Sequence, residues 1–481
     1  MRRLLPAAGS RPEGVLPGLG GSASRPGPAG VPWPLLAAIA PVTLGVAVLA
    51  VRLPLTLAVA FVLGLALFIA SVVRAQVGLA VVIVAMLLSP ELGAGALGGA
   101  SGTTASRGVT VRIEDLLLLV LGFAWLVHMA VHKDLGLVRR TPLNRAIAAY
   151  TLVCGVATLW GMAAGRVAPL TGALYVLKYV EYFVVYFVVA NYLSDRGQVR
   201  LFTVLLLLTA LIVAGVAIGQ IPSGQRVSAP FEGDRGEPNT LGGYLLFVGA
   251  LVGGLLLNAP RPGQRWALGL LLLILLVPFA ATLSRGSYLG LPFVYLTLVF
   301  LARRRRASLA LVGLVALVLA FAAAPDSVRD RVLYTFAQPT QATRVEIGGV
   351  RLDTSTSARL FSWASALRAV SEAPLFGLGV TGFGFLDAQY PRTLVETGLI
   401  GLACFAVLIG AVWKVCLRAW RRAPGNLERG LAMGSLAGLV GLLVHGLGAN
   451  TFTIVRIMEP FWFVIGMVVS ADRLGERSVA T

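Results

Sequence analysis

Long apolar runs alternate with short polar connectors along most of this chain. The runs fall near 33–51, 54–73, 77–93, 115–132, 146–163, 170–193, 201–219, 241–258, 267–283, 287–302, 308–324, 397–413, 431–447 and 457–471. A helix of that length crosses a hydrocarbon core of about 30 Å, and a helix satisfies its own backbone hydrogen bonds there. The alternation of a transmembrane barrel, with strands of about ten residues, is absent. The pattern predicts an all-α, polytopic integral membrane protein with about 12–14 transmembrane helices. One long stretch, 325–397, breaks the rhythm with many charges, an amphipathic segment and a Gly-rich turn. The expected organisation is a tail over 1–30, a helical bundle over 31–324, one large exported loop over 325–397, C-terminal spans over 398–471 and a tail over 472–481.

Composition sharpens this picture. With 57% hydrophobic and 13% charged residues, the chain is too apolar for a soluble multidomain protein. Its net charge of +19 would suit a nucleic-acid ligand, but the distribution argues for topology instead. Basic residues crowd alternate connectors: Arg74; Lys133, Arg139, Arg140 and Arg145; Arg196 and Arg200; Arg261 and Arg265; Arg303 to Arg306; Lys414 to Arg429. The 325–397 stretch balances its arginines with an equal number of acids. By the positive-inside rule the basic connectors and both termini face the cytoplasm, and the long segment is exported. No nucleic-acid partner is expected. The Pro- and Gly-rich start lacks the apolar core of a signal peptide and reads as a disordered tail. Cys154, Cys404 and Cys416 fall in or beside spans, without disulfide or zinc spacing.

Candidate chemistry is sparse. His128 and His132 share a helix face, but no carboxylate cluster accompanies them. Asp115 reads as an acid at a helix start. Lys178 and Glu181, inside a span, are spaced to neutralise each other; a proton relay is the functional alternative. Glu232, Gly233 and Asp234 form an acid-x-acid triplet, a weak signal for a divalent ion. No metal site is expected. Arg285, between small residues at a tight outer turn, can snorkel towards lipid or hold a phosphate bidentately. In the exported segment, Leu360, Trp363, Leu367 and Val370 recur at helical spacing before Pro374, which predicts a helix lying on the membrane surface. It would offer Arg359 and Arg368 to an anion. A Gly-rich turn, 376–385, then leads into Asp387, Gln389, Tyr390, Arg392 and Glu396, crowded at the interface. The turn follows no strand and fits no nucleotide fingerprint. His445, near the outer end of its span, is either a base, a pocket wall or a satisfied buried histidine.

These residues carry a resemblance. Arg226 to Asn239 reads R-x-x-x-P-F-x-x-x-x-G-E-P-N, 284–286 reads S-R-G, Arg359 opens R-x-x-x-W, PLFGLG ends at Gly379, and D-A-Q-Y is followed by L-V-E-T-G-L-I-G ending at Gly401. In this order, from about Leu170 to Phe461, they resemble the O-antigen ligase/polymerase superfamily, the Wzy/WaaL-type membrane proteins. The resemblance implies a GT-C-like glycosyltransferase that uses polyprenyl-diphosphate-linked sugars, with no cofactor, nucleotide sugar or essential metal. It puts Arg226 and Arg285 at the family's functional arginines. Ligases of the family usually have a His-Asn pair where this chain has Asp387 and Ala388, a departure that favours a polymerase of O-antigen, capsule or exopolysaccharide. Ala388 and Pro391 leave the acceptor side open. The expected substrate-binding residues are Arg226, Asn239, Arg285, Arg359, Tyr390 and Arg392, and the candidate bases are Asp387, Glu396 and His445. Expected partners are the lipid-linked glycan, membrane lipid, a chain-length regulator and a flippase. The alternatives are a ligase or protein O-oligosaccharyltransferase of the same superfamily, and, in another class, a flippase or transporter of lipid-linked sugars.

Overall fold

The computed structural model describes residues 55–89, 112–131, 140–232, 236–302, 306–323, 346–347, 350–351, 354–384 and 386–480. The chain divides into two units, 1–63 and 64–481, and every helix from Ala75 onward belongs to the second. The tail over 1–30, the span expected near 33–51, His132 and most of the segment 324–353 lie outside the described residues.

The helices are α1 (Leu55–Val73), α2 (Ala75–Leu88), α3 (Ile113–Val131), α4 (Asn144–Ala163), α5 (Pro169–Tyr192), α6 (Arg196–Gln220), α7 (Pro238–Asn258), α8 (Pro262–Ala281), α9 (Arg285–Leu301), α10 (Arg306–Ala323), α11 (Thr354–Val370), α12 (Gln389–Arg422), α13 (Asn426–His445) and α14 (Val455–Ala480). β1 (Glu346–Ile347) and β2 (Val350–Arg351) form a minimal antiparallel pair that the sequence did not suggest. Among the described residues, seven helices are long and apolar enough to cross a membrane: α4, α5, α6, α7, α8, α12 and α13. The chain is a polytopic, helical membrane protein. Shorter apolar helices, α9 among them, accompany these spans.

Local chemistry starts the helices where the apolar runs begin. Asp195 caps α6 by accepting from the Gln198 amide at 2.9 Å. Pro169, Pro238 and Pro262 open α5, α7 and α8, where a missing N–H costs nothing.

The core is built by α7, α13 and α14. Helices in lipid gain little from apolar burial and rely on close packing, which small residues permit. A Cβ on Gly254 of α7 would stand 2.5 Å from the Gly434 amide nitrogen of α13, and one on Gly434 would stand 2.6 Å from the Leu251 Cα. Glycine therefore sets the spacing of these two helices. Against α14, edge-on aromatic pairs fill the gaps, Phe183 with Trp462 at 4.9 Å and Phe247 with Phe461 at 5.5 Å.

The return of the chain into the bilayer differs from expectation. Instead of a span starting at 397, helix α12 begins at Gln389 and kinks at Gly398, whose φ of 69° and ψ of −170° are non-helical. A kink of that kind releases backbone donors and acceptors from the helical ladder. The 374–379 turn takes them up. Leu378 and Gly379 donate to the Val395 and Glu396 carbonyls, both at 2.9 Å, and Leu399 donates to the Pro374 carbonyl at 2.9 Å. A Cβ on Gly377 would lie 2.6 Å from the Gly398 nitrogen, so the contact is backbone on backbone. The Gly-rich turn is thus a clamp for the kink, and its amides are engaged there.

Candidate functional site

The corner between α8 and α9 is the first component. Leu283 takes a φ of 49°, a left-handed conformation uncommon for a non-glycine residue, and reverses the chain between the two helices. Ser284 then caps α9 and Arg285 is its first residue. The Ser284 hydroxyl donates to the Asn239 Oδ1 at 2.9 Å, which ties the start of α9 to the start of α7. Arg226, from the connector after α6, donates its Nε to the Thr282 carbonyl at 2.9 Å. Both expected functional arginines are therefore anchored on one corner. The first-turn amides of α9 add positive potential beside Arg285.

Three helices meet at His445. Its ring sits between Gly243 of α7 and Gly286 of α9: added Cβ atoms would stand 3.1 Å from Cε1 and 3.3 Å from Cδ2. Its Nδ1 lies 2.7 Å from the Thr451 hydroxyl, while Nε2 has no partner among the described residues. The ring is wholly buried between α7 and α9.

Asp387 forms the opposite side. Arg359 of α11 pairs with it at 3.3 Å, so the helix that the Leu–Trp spacing predicted delivers a guanidinium to this carboxylate. Gln389 docks the segment on the end of α13: its amide donates to the Gly446 carbonyl, and its Oε1 accepts from the Phe452 amide, both at 2.9 Å. The Tyr390 hydroxyl donates to the Leu443 carbonyl. Burial pushes the Asp387 carboxyl above its ordinary value, and the Arg359 guanidinium pulls it back. Asp387 is partly exposed, and its carboxyl is a stronger base than an ordinary aspartate.

Two further expected site residues pair with each other. Arg392 and Glu396, buried to 6% and 3% exposure, pair with each other at 3.2 Å inside the first turns of α12. Arg392 also donates to the Thr453 hydroxyl at 3.2 Å, and Glu396 accepts from the Thr381 amide at 3.3 Å. They fasten the kink from within. Three contributors went unremarked in the sequence: the Thr282 carbonyl, Thr451 and the docking role of Gln389. The last two were within reach, as polar residues flanking His445 and Asp387.

A separate charge network joins the end of α2, the starts of α3 and α14 and the middle of α5. Lys178 pairs with Glu181 at 3.1 Å, as spacing suggested, and also with Asp115, which is therefore a partner in an ion pair and not merely an acid at a helix start. Arg456, fully buried, donates to the Pro230 carbonyl at 2.6 Å and pairs with Glu232 at 3.6 Å. Burial lifts Glu232 to about 7. The rest of its triplet lies outside the described residues, and no cluster suited to a metal ion occurs among those described.

Residues 270–406, from the middle of α8 past the kink in α12, match the O-antigen ligase family, Wzy_C, consistent with the O-antigen ligase/polymerase superfamily. This span contains Arg285, Arg359 and Asp387, while Arg226, Asn239 and His445 lie outside it. No curated protein matches the chain.

Proposed function

We propose that this chain, with an O-antigen ligase domain over 270–406, is a glycan polymerase that joins polyprenyl-diphosphate-linked oligosaccharides on the exported face of the inner membrane. The observation that carries the proposal is the anchoring of Arg226 and Arg285 on one corner, with the accessible Asp387 carboxylate on the neighbouring segment. In the reaction the acceptor hydroxyl oxygen attacks the anomeric carbon, the bond from that carbon to the phosphate oxygen breaks, and the diphosphate departs with the electron pair. Fixed guanidinium groups stabilise the charge that develops on the leaving group, and a low local dielectric strengthens the attraction. Asp387 accepts the hydroxyl proton. A carboxylate with raised basicity suits that role better than an ordinary one.

A ligase is the second reading, and the description of the matched family favours it. The Asp387–Ala388 sequence in place of the His-Asn pair of the resembling ligases supports the polymerase. Incubating purified protein with a polyprenyl-diphosphate oligosaccharide separates the readings. Longer lipid-linked glycan supports the polymerase; transfer only when a lipid-core or protein acceptor is added supports the ligase or O-oligosaccharyltransferase. Translocation of the donor across vesicles without any new glycosidic bond would overturn both in favour of a flippase. The proposed orientation requires a cysteine at Ser371 to react with an impermeant reagent from outside and one at Asn426 to be protected.

A further inference from the structure

Beside the arginine corner, the connector between α6 and α7 encloses an open pocket of about 500 Å³ whose lining includes Ser223, Gln225, Arg226, Phe231 and Glu232. We infer that this pocket is a saccharide subsite, in which Phe231 stacks on a sugar ring of the donor glycan while Gln225, Ser223 and Arg226 bind its hydroxyl groups; this rests on the reaction proposed above.

Phe231 is the feature that demands an explanation. It is 56% exposed and takes a φ of 60°. A bulky residue in the left-handed region is disfavoured and persists only where its surroundings impose it. Here they do. Val227 and Ala229 before it are buried, the Pro230 carbonyl accepts from Arg456, and Glu232 after it accepts from the Glu237 amide at 2.9 Å and pairs with Arg456. The connector is pinned on both sides of a phenyl ring that is left facing the pocket. Neither an untethered loop nor core packing accounts for that arrangement.

The chemistry of the lining selects the ligand. Sugar rings present an apolar C–H face that an aromatic ring covers, and a rim of hydroxyls that both donate and accept. An exposed amide, Gln225, and a hydroxyl, Ser223, offer both capacities. The volume lies within the range of about 300–1,000 Å³ typical of small-molecule sites. Location fixes which sugar. Arg226 lines the pocket while its Nε is held on the Thr282 carbonyl, the corner that carries Arg285. A diphosphate held between those arginines leaves its attached saccharide at the mouth of the pocket.

The test uses the oligosaccharide released from the donor lipid by mild acid, free of lipid and diphosphate, and the full-length protein in nanodiscs. Saturation-transfer NMR should detect binding to the wild type, a loss of at least tenfold in affinity for Phe231→Ala, retention in Phe231→Trp, and a smaller loss for the surface variant Gln225→Ala. Phe231→Ala should also raise KM for the intact donor. Wild-type transfer activity with no detectable oligosaccharide binding, or with equal binding by Phe231→Ala, overturns the subsite. So does a Phe231→Ala protein that binds normally but inserts poorly into liposomes, which would make the ring a lipid anchor. Arg285→Ala separates the two proposals: it should keep oligosaccharide binding while losing transfer. If the wild type binds the oligosaccharide but forms no glycosidic bond with any acceptor, the reaction fails and the subsite stands.

Discussion

Two charged regions of this membrane protein are built on opposite plans. In the network around Lys178 and Arg456, acids outnumber bases: Glu114, Asp115, Glu181, Glu232 and Glu459 face Arg112, Lys178 and Arg456. Its cations are committed to carboxylates and carbonyls that join α2, α3, α5, α14 and the α6–α7 connector. At the corner, Arg226 is held on the Thr282 carbonyl beside Arg285, and on the neighbouring segment Arg359 pairs with the partly exposed Asp387. Charges that must leave water are costly unless paired, so the first plan fits a fastening and the second a site for an anion brought by substrate. Mutation should therefore register as abundance in the network and as turnover at the corner.

The largest effect is expected at Arg285. Arg285→Ala should reduce glycan product to background while membrane-inserted protein stays at the wild-type level. Arg285→Lys keeps the charge but loses the bidentate fork; with a charge-assisted hydrogen bond worth about 1.5–3 kcal/mol, turnover should remain about ten- to a hundredfold below wild type. Product length and inserted protein, measured on the same membranes, check this. Full activity in the lysine variant would reduce Arg285 to a snorkelling residue.

Lys178→Met should behave in the opposite way. Removing one member of a partly buried pair strands its carboxylates, so inserted protein and thermal stability should fall, with turnover per folded molecule unchanged. Adding Asp115→Asn and Glu181→Gln should recover part of the loss, because the stranded carboxylates are then gone. A per-molecule rate that falls as far as in Arg285→Ala would erase the distinction between the regions.

Next in size, Asp387→Asn should lower kcat strongly and change donor affinity little, since a base acts on the acceptor hydroxyl and takes no part in holding the diphosphate. Single-turnover rates and donor binding, measured separately, test it. Wild-type turnover would remove Asp387 from the reaction.

How much of this could be read from the chain depends on the range of the interactions. The spans were legible because hydropathy is local, and the pairing of Lys178 with Glu181 because both lie on one helix face. Asp115 was not recognised as the third member, since it comes from another helix. Arg392 and Glu396 show the cost of a misplaced boundary. With the span begun at 397 they looked like interfacial site residues; with α12 begun at Gln389 their i,i+4 spacing identifies a buried pair. The kink at Gly398 could not be read at all, because what stabilises it is the 374–379 turn, a tertiary contact made by backbone atoms. The corner was half legible. Arg285 stood out as a charge between small residues and Arg226 through the resemblance, but the anchoring of both on one corner depends on the Thr282 carbonyl and the Ser284–Asn239 bond, which no spacing reports.

The smallest effect is the most specific to the corner. In the proposed reaction Asp387 acts as a base only when ionised, so its contribution is present above its pKa and lost as pH falls through it. Burial raises that pKa and Arg359 is the largest influence lowering it. Arg359→Gln removes the lowering influence, so the acid limb of the pH–rate profile should move to higher pH, while the rate on the alkaline plateau changes far less than in Asp387→Asn. Arg359→Lys keeps the charge and should leave the limb between those of wild type and Arg359→Gln. A limb that stays in place in Arg359→Gln, with the rate lowered equally at every pH, would mean that Arg359 binds the substrate directly and does not tune the carboxylate. A shift to lower pH would mean that the titrating group is not Asp387.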